Sequence, residues 1–118
     1  MGVIRQANKK MQSEMLAATQ ELVAVLARCG AELVVLFGSL TDTGRATVDS
    51  DVDLVVVMPG VERCRFHERL RNHPAVEGFP YPLHLHVYTP AEWVAVRERA
   101  FMREEVLGKG VVLYERDG

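Results

Sequence analysis

The sequence predicts an α/β (α+β) domain built on a small mixed β-sheet of about four strands, with helices packed on one side. Three observations carry that expectation. Apolar runs of strand length occur at 31–37, 50–58, 83–88 and 111–115. Amphipathic stretches with three- and four-residue steps lie between and before them, and Gly or Pro marks most of the joins. The 118 residues are 48% hydrophobic, enough for one shared core, so 1–118 reads as a single domain.

From Ala7 to Cys29 the residues Met11, Met15, Leu16, Leu22, Val23 and Leu26 recur at helical spacing, and Gly30 supplies a stop. "AELVVLF" then reads as a buried strand ending at Gly38, and "SDVDLVVVM" as a second one ending at Pro59-Gly60. The segment between them, "SLTDTGRATVD", is too polar for a core. "VERCRFHERLRN" places Val61, Cys64, Phe66 or His67, and Leu70 on one side, which predicts a short surface helix. Its Arg63, Arg65, Arg69 and Arg71, interleaved with Glu62 and Glu68, then form a solvated face.

"HPAVEGFPYP" is expected to be loop, because its three prolines forbid a long element. "LHLHVY" alternates as a strand does, with Leu83, Leu85 and Val87 on one face and His84, His86 and Tyr88 on the other. Thr89 as N-cap, Pro90 in the first turn and Glu92 completing a capping box start the next helix. A bend is expected near Phe101, and Trp93 and Phe101, at helical spacing, are assigned to the core rather than to base-stacking platforms. Gly108 and Gly110 end the helical region before the last strand, "VVLYE".

Composition narrows the function. A formal net charge of -2 lacks the basic excess of a general nucleic-acid binder. The apolar runs fall far short of the roughly 20 residues that span a bilayer, and the amino terminus has no apolar signal core. Cys29 and Cys64 belong to no CxxC pair and read as free thiols of a reducing compartment. The expectation is a cytoplasmic protein with no membrane association.

The segment with chemistry is "FGSLTDTGRATVDSDVDLVVV", residues 37–57. Asp51 and Asp53, one residue apart on a strand, share a face with Cα atoms about 6.6 Å apart, twice the rise of about 3.3 Å per residue. Two such carboxylates can converge on one hard cation, which phosphoryl transfer needs to neutralise phosphate oxygens. Gly38 lets backbone N–H groups approach a phosphate, and Ser39 can cap a helix starting near Leu40 whose positive end faces the same anion. Each part alone is a common loop or strand-start feature; their succession at two strand edges points to one site. Arg45 could meet a phosphate, with solvation as its ordinary role, and His67 and His73 read as surface residues.

The arrangement of Phe37, Gly38, Ser39, Gly44, Ser50, Asp51, Asp53 and Leu54 resembles the nucleotidyltransferase fold of the DNA polymerase beta superfamily. More narrowly, the chain resembles the minimal nucleotidyltransferases from about Met15 to Glu115, with "VYTPAEW" and "GKGVVLYE" also matching their habits. The resemblance implies transfer of a nucleoside monophosphate from a nucleoside triphosphate, ATP first, to a protein, nucleic-acid or small-molecule acceptor, with Mg²⁺ or Mn²⁺. It implies Gly38, Ser39 and Ser50 in nucleotide binding, and Asp51 and Asp53 on the metal. It also implies a HEPN-domain partner in a toxin–antitoxin pair, and leaves an oligomer open.

The chain departs from that pattern at one place. Where active relatives carry a third carboxylate, this sequence has His84, with His86 next on the same face. Imidazole is a poor ligand for Mg²⁺, yet a neutral His can act as a general base or favour Mn²⁺. The catalytic candidates are therefore Asp51, Asp53 and His84, and the metal candidates Asp51, Asp53, His84 and His86. Two readings remain open: a metal-dependent enzyme, or a catalytically impaired subunit that binds nucleotide or a partner. A separate H-x-H metal centre is a weaker third, having no further ligand beyond the two aspartates.

Overall fold

The computed structural model describes residues 2–41 and 51–117. In chain order the elements are α1 (Gly2–Arg28), β1 (Leu33–Phe37), a 3-10 turn (Ser39–Thr41), β2 (Val52–Val57), a second 3-10 turn (Phe66–Glu68), α2 (Pro74–Glu77), β3 (Leu83–Tyr88), α3 (Pro90–Val96), a π-helix (Met102–Leu107) and β4 (Val111–Glu115). The sheet order is β3-β2-β1-β4. β1 runs antiparallel to both β2 and β4, and β2 pairs with β3 in parallel. A parallel pair needs a crossover, and residues 58–82 supply it.

Helix α1 begins earlier than the apolar spacing requires and ends where Gly30 adopts φ 108°, a left-handed backbone suited to a helix stop. It buries Met15, Leu22, Val23 and Leu26 against Val34, Leu36, Val52, Leu54, Val56 and Val87 of the sheet. The opposite face of the sheet is also covered. There Val35, Val55 and Val57 pack with Trp93, Met102 and Val106. The α/β class stands, but the helices occupy both faces rather than the one expected. The reason lies in β2, whose Leu54, Val55, Val56 and Val57 are all buried. A strand apolar on successive residues needs a layer on each side.

The surface helix expected over "VERCRFHERLRN" does not form. Only Phe66–Glu68 makes a 3-10 turn; Arg69 is extended at φ -61° and ψ 127°, and Leu70 takes φ 63°. The cause is Arg69, expected in a solvated row yet only 7% exposed. Its Nη1 donates to the Val87 carbonyl at 3.0 Å and to Glu92 Oε1 at 2.5 Å, Nη2 donates to Glu92 Oε2 at 3.1 Å, and Nε donates to the Cys64 carbonyl at 3.2 Å. A buried guanidinium needs this set of acceptors, and a regular helix would turn it outward.

Within the expected loop, Pro74–Glu77 forms the four-residue helix α2, with Pro74 in its first turn and His73 Nδ1 accepting from the Ala75 N–H at 3.1 Å. Helix α3 starts as expected. Thr89 Oγ1 accepts from the Glu92 N–H at 3.1 Å, and Glu92 Oε1 accepts from the Thr89 N–H at 2.9 Å. The helical path breaks after Val96 and resumes as the π-helix. Trp93 is core, whereas Phe101 is 57% exposed, against expectation. Cys29 and Cys64 are free and exposed. Among the described residues no helix is long and apolar enough to cross a membrane.

Candidate active site

Strand register builds the site. Phe37 of β1 pairs with Asp53 of β2, and Asp53 pairs with His84 of β3, so the three form one row across the sheet. The next row along is Val35, Val55 and His86, and the third is Leu33, Val57 and Tyr88. This face therefore passes from polar at the rim to apolar beneath α3. Asp51 precedes β2 by one residue, and its Oδ2 accepts a hydrogen bond from His84 Nε2 at 2.9 Å. Asp51, Asp53 and His84 are thus brought together, while His86 lies one row deeper, its ring tilted against Phe37 with centroids 5.6 Å apart.

Gly38 is tied to this cluster more tightly than its role as a strand end required. It has φ 84°, and a Cβ added there would run into Asp53 Oδ2, with Asp53 Cγ only 3.3 Å away. The Asp53 carboxylate occupies the room that the missing side chain leaves. Beyond it the Ser39–Thr41 turn is closed by the Thr41 N–H and hydroxyl, which donate to the Gly38 carbonyl at 3.1 and 2.7 Å. Leu40 anchors the turn in the core, and Gln12 Nε2 of α1 donates to its carbonyl at 3.3 Å. The described residues show a 3-10 turn at Ser39–Thr41, where a short helix was expected to start near Leu40. Ser50, along with Gly44, Arg45 and Asp49, lies outside the described residues.

The Asp53 carboxylate is electrostatically unsettled. Burial pushes Asp53 above the usual carboxylate range; His84 opposes that shift, Asp51 adds to it and His86 opposes it. Burial likewise lowers His86, partly offset by Asp53, so its imidazole is neutral at pH 7. His84 and Asp51 remain open to solvent, with side-chain exposures of 57% and 41%. A cleft of about 360 Å³ lies elsewhere among the described residues: it opens on the α1 face between Arg71, Val76, Tyr81, Leu83 and Leu85. Because Leu83 and Leu85 point away from His84, it does not reach the carboxylates.

Residues 20–111 match the nucleotidyltransferase domain family. The chain belongs to that family. A Sulfolobus solfataricus protein assigned provisionally to the nucleotidyltransferases is similar in fold, with a TM-score of 0.61 and 22% identity. The similarity covers 92% of this chain and 87% of that one. No curated protein matches the chain.

Nucleotidyltransferase domains generally work with a divalent cation and a nucleoside triphosphate, so the donor set has to be tested against such an ion. Among the described residues no group of three or more ligating side chains could hold a metal by itself. Two carboxylates on one face are a different case. Mg²⁺ keeps several waters and is typically held by one or two carboxylates together with substrate phosphates. Asp51 and Asp53 suit a cation that arrives with the nucleotide, and they do not suit a self-sufficient protein cage. The structural residue that sequence reasoning missed is Arg69, which carried no signal distinct from its neighbours; Phe37 was named with the motif, but its place beside Asp53 depends on register.

Proposed function

We propose that this nucleotidyltransferase moves a nucleoside monophosphate from a nucleoside triphosphate to an acceptor hydroxyl with the help of Mg²⁺ or Mn²⁺. The observation that carries the reading is the row Phe37, Asp53 and His84, with Gly38 making room for the Asp53 carboxylate and Asp51 beside it. Asp51 and Asp53 would hold the cation, which when bound neutralises phosphate charge and favours in-line displacement. The turn that follows Gly38, with Ser39, and the Ser50 position would receive the triphosphate.

His84 takes the third place in a specific way. His84 Nε2 faces Asp51 Oδ2 at 2.9 Å, and a carboxylate oxygen accepts, so in the neutral tautomer with the proton on Nε2 the other ring nitrogen, Nδ1, is the free acceptor. Nδ1 takes the proton of the attacking hydroxyl as the new oxygen–Pα bond forms. The bond from Pα to the β-phosphate bridge breaks, and pyrophosphate leaves with that electron pair. Asp51 orients the ring, as a carboxylate does for histidine in acyl-transfer sites.

Likeness to the minimal nucleotidyltransferases supports a HEPN-domain protein as partner and acceptor, with the chain acting as the antitoxin half of a cytoplasmic pair. One observation favours a second reading: His84 stands where relatives use an acid, which fits a subunit that binds nucleotide without turnover. Incubation with labelled ATP, CTP, GTP or UTP and either metal, with and without the product of the adjacent gene, separates the two. Transferred label supports the enzyme; nucleotide binding without label under every condition supports the impaired subunit. If the third position limits the rate, His84→Asp raises transfer in Mg²⁺.

A further inference from the structure

One aromatic ring at the rim of this site is not accounted for by packing. Phe101 is 57% exposed, although Met102 and Val106 immediately beyond it are buried against the sheet. Its ring stands edge-on to Phe37, with centroids 6.3 Å apart and planes at 86°. Phe37 is the β1 member of the row that holds Asp53 and His84. Phe101 thus adjoins the Phe37 end of the row formed by His84, Asp53 and Phe37. Phe101 also directly precedes the π-helix, a widened turn found disproportionately at functional sites.

We propose that Phe101 is the platform on which the base of the nucleotide stacks. The inference rests on the nucleotidyl-transfer reading of the carboxylate pair and adds the direction in which the nucleotide lies. With the triphosphate between Gly38 and the aspartates, the sugar and base extend over Phe37 toward Phe101. The acceptor approaches from the other end of the row, where His84 lies exposed on the edge strand β3. Every base has a π-face, so stacking binds without reading hydrogen-bonding edges. It scales with ring area, which places purine nucleotides ahead of pyrimidine ones.

The test is titration of the full chain with ATP, CTP and inorganic tripolyphosphate in Mn²⁺. Phe101→Ala is expected to weaken ATP by about tenfold or more, the usual range for loss of one stacking ring, and CTP by less, while tripolyphosphate binding is unchanged. Phe101→Trp restores ATP affinity, and its fluorescence is quenched by ATP but not by tripolyphosphate. Wild-type ATP affinity in Phe101→Ala overturns the platform, and so does an equal loss for ATP and tripolyphosphate, which would make the ring a support for the phosphate site. If the unaltered chain binds tripolyphosphate, those outcomes leave the carboxylate site standing. If it binds neither ligand, the site reading falls and the platform with it.

Discussion

The two ends of β3 handle charge in opposite ways. At the carboxyl end, Arg69 is almost wholly buried and donates to the Val87 carbonyl and to both oxygens of Glu92, which also closes the capping box of α3. At the amino end, His84 shares one hydrogen bond with Asp51, both side chains stay exposed, and Asp53 next to them is held above its ordinary pKa. The first group of charges is matched acceptor for donor and closes the edge of the sheet. The second is an excess of negative groups with donors still to find, which suits a cation and a phosphate. Matched charge marks the scaffold here, and unmatched charge marks the site.

Substitutions at the two ends should therefore fail differently. The largest effect belongs to Asp51→Asn with Asp53→Asn. Transfer and metal-dependent nucleotide binding should fall on the order of a thousandfold, the several kcal/mol that a held cation contributes. The melting temperature should stay level or rise, since folding disfavours the charge on Asp53. A large drop in melting temperature would make the pair structural and erase the contrast. Arg69→Ala reverses the pattern. It should cost about 2 kcal/mol in denaturant unfolding, less than the ~3–5 kcal/mol of a fully buried broken pair because Glu92, 43% exposed, can rehydrate. Nucleotide affinity of the folded protein should be unaltered.

Gly38→Ala probes the boundary between the two kinds of region. The left-handed backbone alone costs about 1–2 kcal/mol, and the new Cβ displaces the Asp53 carboxylate, so affinity for nucleotide with metal should drop by about tenfold. Calorimetry that finds affinity intact would show that Asp53 does not need its present position. The smallest effect is the pH dependence of stability. Hydrogen bonding from Arg69, then from the Thr89 backbone, lowers Glu92 from 4.5 to about 2. Its contribution is complete above pH 4.5 and is lost as pH falls toward 2. Thermal melts of Glu92→Gln and the unaltered chain should converge over that interval. Asp53 has the opposite slope in the metal-free protein: its raised pKa makes folding less favourable as pH rises through it.

Much of the fold was legible because the relevant signals are local. The four strands, the capping box of Thr89 and Glu92, and the stop at Gly30 each depend on residues adjacent in sequence. That Asp51 and Asp53 share a face, and that His84 and His86 share one, was legible for a related reason, since alternation along a strand fixes the face of each residue; that His84 stands with the aspartates came from the family resemblance. What escaped depends on contacts between distant segments. Arg69 reads like Arg65 or Arg71 until Val87 and Glu92 are brought to it, and the helical stripe around it then loses to one buried ion pair. Phe101 has the spacing of a core residue, but the break after Val96 and the π-helix turn it to the surface. The two-sided sheet was written in the unbroken apolar run of β2, a stretch that also fits a strand in a one-sided sheet until the second layer is present.

Gly38 and Asp53 lie fifteen positions apart and share a single volume, the carboxylate of one filling the space where a methyl of the other would be. For anyone altering this protein they are one variable and not two. A library that randomises position 38 while holding position 53, or the reverse, will sample mainly molecules in which two groups compete for the same place. A wider group at 38 is admissible only together with a shorter or differently aimed one at 53. Any remodelling of the turn after Gly38 thus begins with a pair of codons, and the partner of the first is the residue whose carboxylate fills the missing side chain's place.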